Sequence, residues 1–259
     1  MKKLIYTLLI AIVLGSCTKN TNFAFEEREF SRKSSLNCTT ENCTEITINA
    51  AIIVSPDNSA SQLINKSNIA LINELLPFTD SGANADQYEE ITNTFIYAYE
   101  EIAQKFPTDA FPWKATVSNN ITFYNHELIS FAVEYYTYSG GAHGFKGEKA
   151  IHYNPNNGQV YTNEELFSDW PGFQQLVKSQ LRSKIGSDQY EVIDQDSILF
   201  DDDQFKMPED IFIYEDSIIA YYNSFDISAF SDEPVKIEIP KTQADTFLKI
   251  KLVPIATNE

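Results

Sequence analysis

The sequence has few of the residues that commonly carry catalysis or bind metals. Its 259 residues include 3 histidines, 3 cysteines and 2 methionines. The histidines are His126, His143 and His152, which are not at helical zinc-binding spacing, and no His-Glu-x-x-His sequence occurs. A Gly-x-Ser-x-Gly elbow, a phosphate-binding loop and a dinucleotide fingerprint are also absent from the sequence. We therefore predict a protein that is not an enzyme, with no catalytic residue, no metal site and no cofactor.

Basic residues are scarce relative to acidic ones. The chain has 19 Lys and Arg against 37 Asp and Glu, a formal charge of −18. This balance argues against nucleic acid as a partner, because binding phosphates needs Lys and Arg, and it disfavours docking on anionic lipid. It favours a cationic partner through long-range attraction. The alternative is an acidic surface that only keeps an exported protein soluble.

The N-terminal apolar run is too short to span a bilayer. Leu4 to Leu14 covers 11 residues, whereas a spanning helix needs about 20. Gly15, Ser16 and Cys17 follow, and this Leu-x-small-Cys ending resembles a bacterial lipoprotein signal. The resemblance implies removal of residues 1–16 and acylation of Cys17, which would anchor an exported protein to a membrane of the cell envelope, expected to be the outer membrane of a diderm bacterium. An ordinary secretory signal is the alternative.

Without Lys2 and Lys3 the mature chain would keep 17 basic and 37 acidic residues, a formal charge of −20. Residues 17–37 are polar and show no apolar period, so we expect a tether there and folded structure from about residue 44. Cys38 and Cys43 are close in sequence, and in an exported protein such a pair predicts a disulfide.

The remaining pattern predicts an α+β fold with antiparallel sheets and packed helices. Residues 84–106 repeat apolar side chains every three or four positions, which is typical of a helix. Other helices are expected in 59–76, capped by Ser59 or Ser61, and in 172–186. Strands are expected where the period changes to two, as in 129–135. We expect two small, closely associated domains, 38–155 and 156–255.

The stretch "YYTYSGGAHG", residues 135–144, follows one of these strands. Gly140 and Gly141 can adopt positive φ at little cost, so the chain can reverse sharply there. A histidine just after the turn, His143, can hydrogen-bond exposed backbone groups. A binding or catalytic loop is the alternative, but we predict a hairpin turn made by Tyr138, Ser139, Gly140, Gly141 and His143.

This turn, with "AIHYNPNNGQVYTNEELF" and "EDSIIAYYNSFDISAF" further on, resembles two domains of unknown function from exported bacterial proteins. The pair is similar to the extracytoplasmic part of the lysozyme-sensing anti-sigma-V factor RsiV. The first domain also resembles the N-terminal, non-catalytic module of the peptidoglycan deacetylase PdaC. The resemblance covers roughly residues 40 to 250 and implies a binding module.

We therefore expect an envelope lipoprotein that binds a cationic lysozyme-like muramidase or peptidoglycan, for sensing or inhibition. Tyr221, Tyr222 and Phe225 are the candidate exposed anchors of the binding surface. The alternatives are a structural envelope lipoprotein with another ligand, and a hydrolase or deacetylase that acts on the glycan through His143.

Overall fold

The structure of the chain is a computed structural model that describes residues 23–38, 42–76, 85–107, 110–185, 205–224, 226 and 233–253. Within these ranges, no helix combines the length and the apolar character needed to cross a membrane. Helices and two separate sheets make up the body, so the predicted α+β class is confirmed.

Five strands form the larger sheet, in the order β1-β2-β3-β4-β5. Neighbouring strands are antiparallel except β2 and β3, which run parallel. A parallel pair needs a long crossover, and two helices between β2 and β3 provide it. The strands are β1 (Ala24–Lys33), β2 (Glu45–Ser55), β3 (Lys114–Tyr124), β4 (Ile129–Tyr138) and β5 (Phe145–Tyr153).

Strand β1 corrects the prediction of a tether over residues 17–37. Residues 24–33 are hydrogen-bonded along β2 as an edge strand, and Phe23 just before them is buried. The prediction is therefore wrong for residues 24–33. Strand β1 is largely exposed on both faces, with only Phe25 and Phe30 half-buried. A strand that buries so little shows no apolar alternation in its sequence.

Helices α1 (Ser59–Leu75) and α2 (Tyr88–Lys105) pack on one face of the larger sheet. The cap of α1 is Asn58, whose Oδ1 accepts the Ser61 N–H at 2.9 Å, rather than the predicted Ser59 or Ser61. The apolar stripe of α2 is buried from Tyr88 to Tyr99, but its last two predicted members, Ile102 and Phe106, are exposed.

The smaller sheet is antiparallel, in the order β6-β7-β8. One of its faces packs against α3, and their shared core includes Phe173 and Leu181. Phe123 of β3 and Leu128, just before β4, reach into the same core. The elements are β6 (Asp210–Ile213), β7 (Ser217–Tyr222), β8 (Val235–Pro240), α3 (Trp170–Ile185), α4 (Lys241–Ala244) and a 3-10 turn (Glu164–Leu166).

The other face of the smaller sheet packs on the larger sheet, opposite to the helices. Phe131 of β4 belongs to the core that contains Ile64 of α1, whereas its neighbour Ala132 packs with Phe212 and Tyr221. Adjacent strand residues point to opposite faces, so β4 is covered on both sides. The two sheets are thus closely associated, while the division at residue 155 remains a prediction.

Gly158 joins the turn after β5 to helix α1. Its φ is +73°, and an added Cβ would lie 2.6 Å from the Ala60 carbonyl oxygen. We expect Gly158→Ala to lower the free energy of unfolding by about 2 kcal/mol, because backbone strain and a backbone clash add. Urea denaturation measures this change.

The matched control is Gly140→Ala. Gly140 also has a positive φ, +104°, but nothing lies within 4 Å of an added Cβ. Only backbone strain applies there, and we expect a loss of about 1 kcal/mol. Equal losses in the two variants would contradict a role for the contact with α1.

Candidate functional site

The SGGAHG stretch forms the turn between β4 and β5. The strands pair up to Thr137 and Phe145, and Gly140 and Gly141 both have positive φ. The Tyr138 hydroxyl donates to the Gly141 carbonyl at 3.1 Å. His143 is exposed, with Nδ1 3.2 Å from the Gly144 carbonyl oxygen. These contacts are all local, so the turn is built by its own residues.

A groove of about 520 Å³ begins beside this turn. It lies where the face of the larger sheet opposite the helices meets strands β7 and β8. Two rows of cross-strand neighbours form its floor: Thr116, Tyr136 and Lys146 in one row, and Ser118, Glu134 and Glu148 in the other.

The Tyr136 ring packs directly against Gly144 of the turn, at a distance that leaves no room for a side chain at residue 144. A Cβ at Gly144 would come within 2.5 Å of the Tyr136 ring. Tyr136 remains partly exposed, so its ring is available at the mouth of the groove. The glycine therefore positions an aromatic side chain as well as allowing the chain to turn.

Strands β7 and β8 supply the opposite wall of the groove. Lys236 Nζ is 3.0 Å from Glu148 Oε1 and 4.9 Å from the centre of the Tyr221 ring. Lys146 and Glu233 face each other across the mouth, with Nζ 3.9 Å from Oε1. Burial raises the pKa of Tyr221, and the negative charge of Glu148 raises it further. The Tyr221 hydroxyl therefore stays protonated at physiological pH.

Two of the three predicted surface anchors are buried rather than exposed. Tyr221 is 3% exposed and Tyr222 is 1% exposed, so the prediction that both rings are exposed is wrong. Both residues lie in β7, the central strand of the smaller sheet, which is covered on both faces. Tyr221 still contributes to the wall of the groove, whereas Tyr222 belongs to the core with α3. Phe225 lies outside the described residues.

Partly buried polar contacts join the smaller sheet to the edge of β5, next to the groove residue Glu148. The amide of Asn223 pairs with the backbone of Glu148 on the edge of β5, accepting its N–H at 3.0 Å and donating to its carbonyl at 3.2 Å. Asp210 accepts the next outward N–H, from Ala150, at 2.9 Å. Asn223 also donates to Asp210, at 3.1 Å. Two side chains thus occupy an edge that a further strand would otherwise pair with.

Asp210 carries the buried charge of this junction. Its second oxygen lies 3.2 Å from Lys149 Nζ, and Lys149 also reaches Glu209 at 3.2 Å. Burial raises the pKa of Asp210, while the Ala150 N–H and Lys149 oppose the increase. Burial opposes the charge of Lys149 as well, but Asp210 and Glu209 outweigh it and raise the pKa of Lys149.

His152 crosses the same junction and is fully buried. Its Nε2 lies 2.8 Å from the Ile211 carbonyl oxygen, which can only accept, so Nε2 carries the proton. Nδ1 then accepts from the Ser130 hydroxyl at 2.9 Å. Burial lowers the pKa of His152 to about 4. The neutral ring therefore links the sheets at physiological pH.

Two predictions concern cysteines, and the structure describes the residues of one of them. A Cys38–Cys43 disulfide is present, as predicted. Cys17 lies outside the described residues. Among the residues that the structure describes, no group of three or more His, Cys, Asp and Glu side chains could hold a metal ion.

Residues 38–146 match the family model described as deacetylase PdaC. This region is less than half of the chain, and it supplies the helical layer and most of the groove floor. No curated protein matches the chain.

Two solved structures resemble nearly the whole chain. A DUF3298 family member from Bacteroides fragilis superposes with a TM-score of 0.67 at 18% identity, covering 90% of this chain and 96% of its own. Another from Pseudomonas aeruginosa gives a TM-score of 0.60 at 17% identity, covering 92% and 99%. The chain has the DUF3298 fold.

Within this DUF3298 fold, sequence reasoning missed the residues that assemble the groove. Glu134, Glu148 and Lys236 come from three strands, and Lys236 is 88 residues from its partner Glu148. The alternation over residues 129–135 places Glu134 only on the strand face opposite to Phe131 and Val133. Nothing in the local sequence shows that β8 lies opposite to it.

The groove combines carboxylates, lysines, a partly exposed tyrosine and small hydroxyl side chains. Such a lining can bind a cationic protein segment through its carboxylates, or a glycan through stacking and hydrogen bonds. The sequence-predicted turn residues lie at one end of this groove, so the structure brings the two features together.

Proposed function

We propose that the protein is a lipid-anchored, non-catalytic binding module of the cell envelope. Its groove binds a cationic lysozyme-like muramidase, with peptidoglycan as the second candidate, for sensing or inhibition. The observation that carries the proposal is the groove itself, where Glu134 and Glu148 lie side by side on the sheet and Tyr136 stands at the mouth.

Charge favours the muramidase. The mature chain would carry a formal charge of −20, and opposite charge accelerates encounter at low salt. The resemblance to the lysozyme-sensing RsiV ectodomain supports the same partner. Peptidoglycan is favoured by another feature, the tyrosine and hydroxyl groups beside the carboxylates, because aromatic rings and small polar groups suit a sugar.

Binding rather than catalysis is proposed although the matching family model is described as a deacetylase. His143, the histidine of the turn, contacts the neighbouring carbonyl of Gly144, and its ring is exposed. His143→Asn with the fold intact tests this part. If this variant lost its envelope function, or lost turnover of peptidoglycan fragments, the result would favour an enzyme that uses His143.

The first experiment is titration calorimetry of residues 18–259 against a basic lysozyme at two salt concentrations. We expect submicromolar binding that weakens at higher salt, while an unrelated protein of equal charge does not bind. If lysozyme does not bind, sedimentation with purified peptidoglycan tests the second candidate. Failure of both would leave a structural envelope lipoprotein.

Charge reversal at the groove locates the binding surface. We expect Glu134→Lys to weaken lysozyme binding at least about tenfold, because the change places a like charge against the cationic partner. The same titration measures the affinity.

The matched control is Glu74→Lys, which makes the same change of charge on helix α1, on the opposite side of the larger sheet. Its affinity should stay within about twofold of the original, since only long-range attraction changes. Equal weakening by the two variants would show that net charge, and not the groove, determines binding.

A further inference from the structure

The chain enters the folded body at one end of the larger sheet. Strand β1 begins at Ala24, which is paired with Ser55 at the last residue of β2. Residues 18–22 separate Cys17 from the first described residue, Phe23. The six residue steps from Cys17 to Phe23 reach at most about 20 Å when fully extended. An acyl anchor on Cys17 would therefore hold this end of the sheet close to the bilayer.

Four of the ten large apolar side chains that are exposed in the described residues lie at the same end. Val54, Leu63, Val160 and Val253 are between 41% and 62% exposed. Val54 precedes Ser55, the partner of Ala24. Large apolar side chains on a surface near an anchored terminus are suited to contact with lipid.

Contacts between three turns place the other three side chains at the same end of the sheet as Val54. An added Cβ on Gly158 would lie 3.0 Å from the Leu63 Cβ, and Val160 is two residues further on. Asn156 donates to the His126 carbonyl at 3.2 Å, which links the turn after β5 to the turn before β4. Asn125 in that second turn donates to the Val253 carbonyl at 3.4 Å.

This end is also nearly neutral. Segments 54–63, 125–128, 154–160 and 251–253 contain two acidic residues, Asp57 and Glu127, and one basic residue, Lys251. Their formal charge is −1, with His126 counted as neutral, whereas the mature chain carries −20. Repulsion from an anionic headgroup layer is therefore weaker here than the overall charge suggests.

We propose that this end of the molecule is its membrane-facing surface, which rests on the lipid headgroups with Val54, Leu63, Val160 and Val253 in contact. The inference rests on the lipid anchor that is part of the proposed function. Strand β4 then runs away from the bilayer and β5 returns towards it. The SGGAHG turn between them and the mouth of the groove face outward, where a soluble partner can reach them.

The test imposes the anchor chemically. The mature chain, residues 17–259, is coupled through Cys17 to a maleimide phospholipid in phosphatidylcholine vesicles with brominated acyl chains. Tryptophan is introduced as Val160→Trp at the proposed contact, or as Phe145→Trp beside the outward turn. Phe145 is 52% exposed, close to the 50% of Val160, so the two positions are matched.

We expect bromine to quench the added fluorescence of Val160→Trp at least about twofold and to leave that of Phe145→Trp unchanged, after subtraction of Trp113 and Trp170. Equal quenching, stronger quenching of Phe145→Trp, or no quenching of either would overturn the proposed orientation. Val253→Trp replaces Val160→Trp if thermal melting shows that the latter is unfolded.

The result is independent of whether cells acylate Cys17, because the lipid is attached in vitro. Mass spectrometry of the N-terminal peptide from cells tests acylation separately. An unmodified Cys17 in cells would therefore defeat the anchor in the proposed function, while an unquenched Val160→Trp would defeat only the orientation.

Discussion

Acidification from pH 7 to pH 4 is expected to remove about 3 kcal/mol of folding stability through His152 alone. The unfolded chain titrates this histidine near 6.5, whereas burial lowers its pKa in the folded protein to about 4. Between these values the unfolded chain binds a proton that the folded protein does not. The free energy of unfolding therefore decreases as the pH falls through this window, by about 1.4 kcal/mol per pH unit.

The variant that isolates this effect is His152→Gln. The glutamine amide can still donate to the Ile211 carbonyl, but it does not titrate. We expect some loss of stability at pH 7 and a curve against pH that is flatter by about 3 kcal/mol between pH 7 and 4. Urea denaturation at several pH values gives both quantities.

His143→Gln is the control, because His143 lies exposed in the turn. Its curve should run parallel to that of the unchanged protein. If His152→Gln also ran parallel to the unchanged protein, the histidine between the sheets would not be the acid-sensitive group.

Replacement of Asp210 by alanine is expected to lower the free energy of unfolding by about 3 kcal/mol. The change leaves the Ala150 N–H without its acceptor and Lys149 without the carboxylate 3.2 Å away. Loss of one partner from a buried ion pair costs about 3–5 kcal/mol. The lower value applies because the Lys149 side chain is 30% exposed and can turn towards water.

Asp210→Asn separates the two contributions. Its amide oxygen can still accept the Ala150 N–H, whereas the contacts of the second oxygen with Lys149 and with the Asn223 amide are lost, and we expect a decrease of about 1 kcal/mol. Chemical denaturation compares the two variants. Equal losses would mean that the contacts with Lys149 and Asn223 dominate and that the hydrogen bond to the edge of β5 contributes little.

These two residues also bear on the groove. Asp210 and Asn223 hold β5 against the smaller sheet, and Glu148 on β5 faces Lys236 on β8. The width of the groove therefore depends on the same contacts that join the sheets. A partner that binds across the groove would contact both sheets, and its binding would stabilise their junction.

Much of the fold could be predicted from the sequence because it follows from local periodicity. The stripe from Tyr88 to Tyr99 predicted α2, and the glycines at 140 and 141 predicted the turn between β4 and β5. The disulfide between Cys38 and Cys43 followed from their spacing. Each of these signals lies within one turn, one helix or one short loop.

The errors occurred where burial depends on distant parts of the chain. Strand β1 buries little, so its polar sequence suggested a tether, and only its hydrogen bonds to β2 reveal a strand. Tyr221 and Tyr222 are of a residue type that often anchors binding surfaces. Both faces of β7 are covered, however, by α3 on one side and by the larger sheet on the other.

The sequence by itself determined the α+β class, the main helices and hairpins, the disulfide and the acidic charge, because these depend on residue type and on spacing over a few positions. Only the tertiary structure decided that Glu134, Glu148 and Lys236 form one groove, and that Asp210, Asn223 and His152 join two sheets. Contacting members such as Glu148 and Lys236 are 88 positions apart in the chain, and the packing of one sheet on another brings them together.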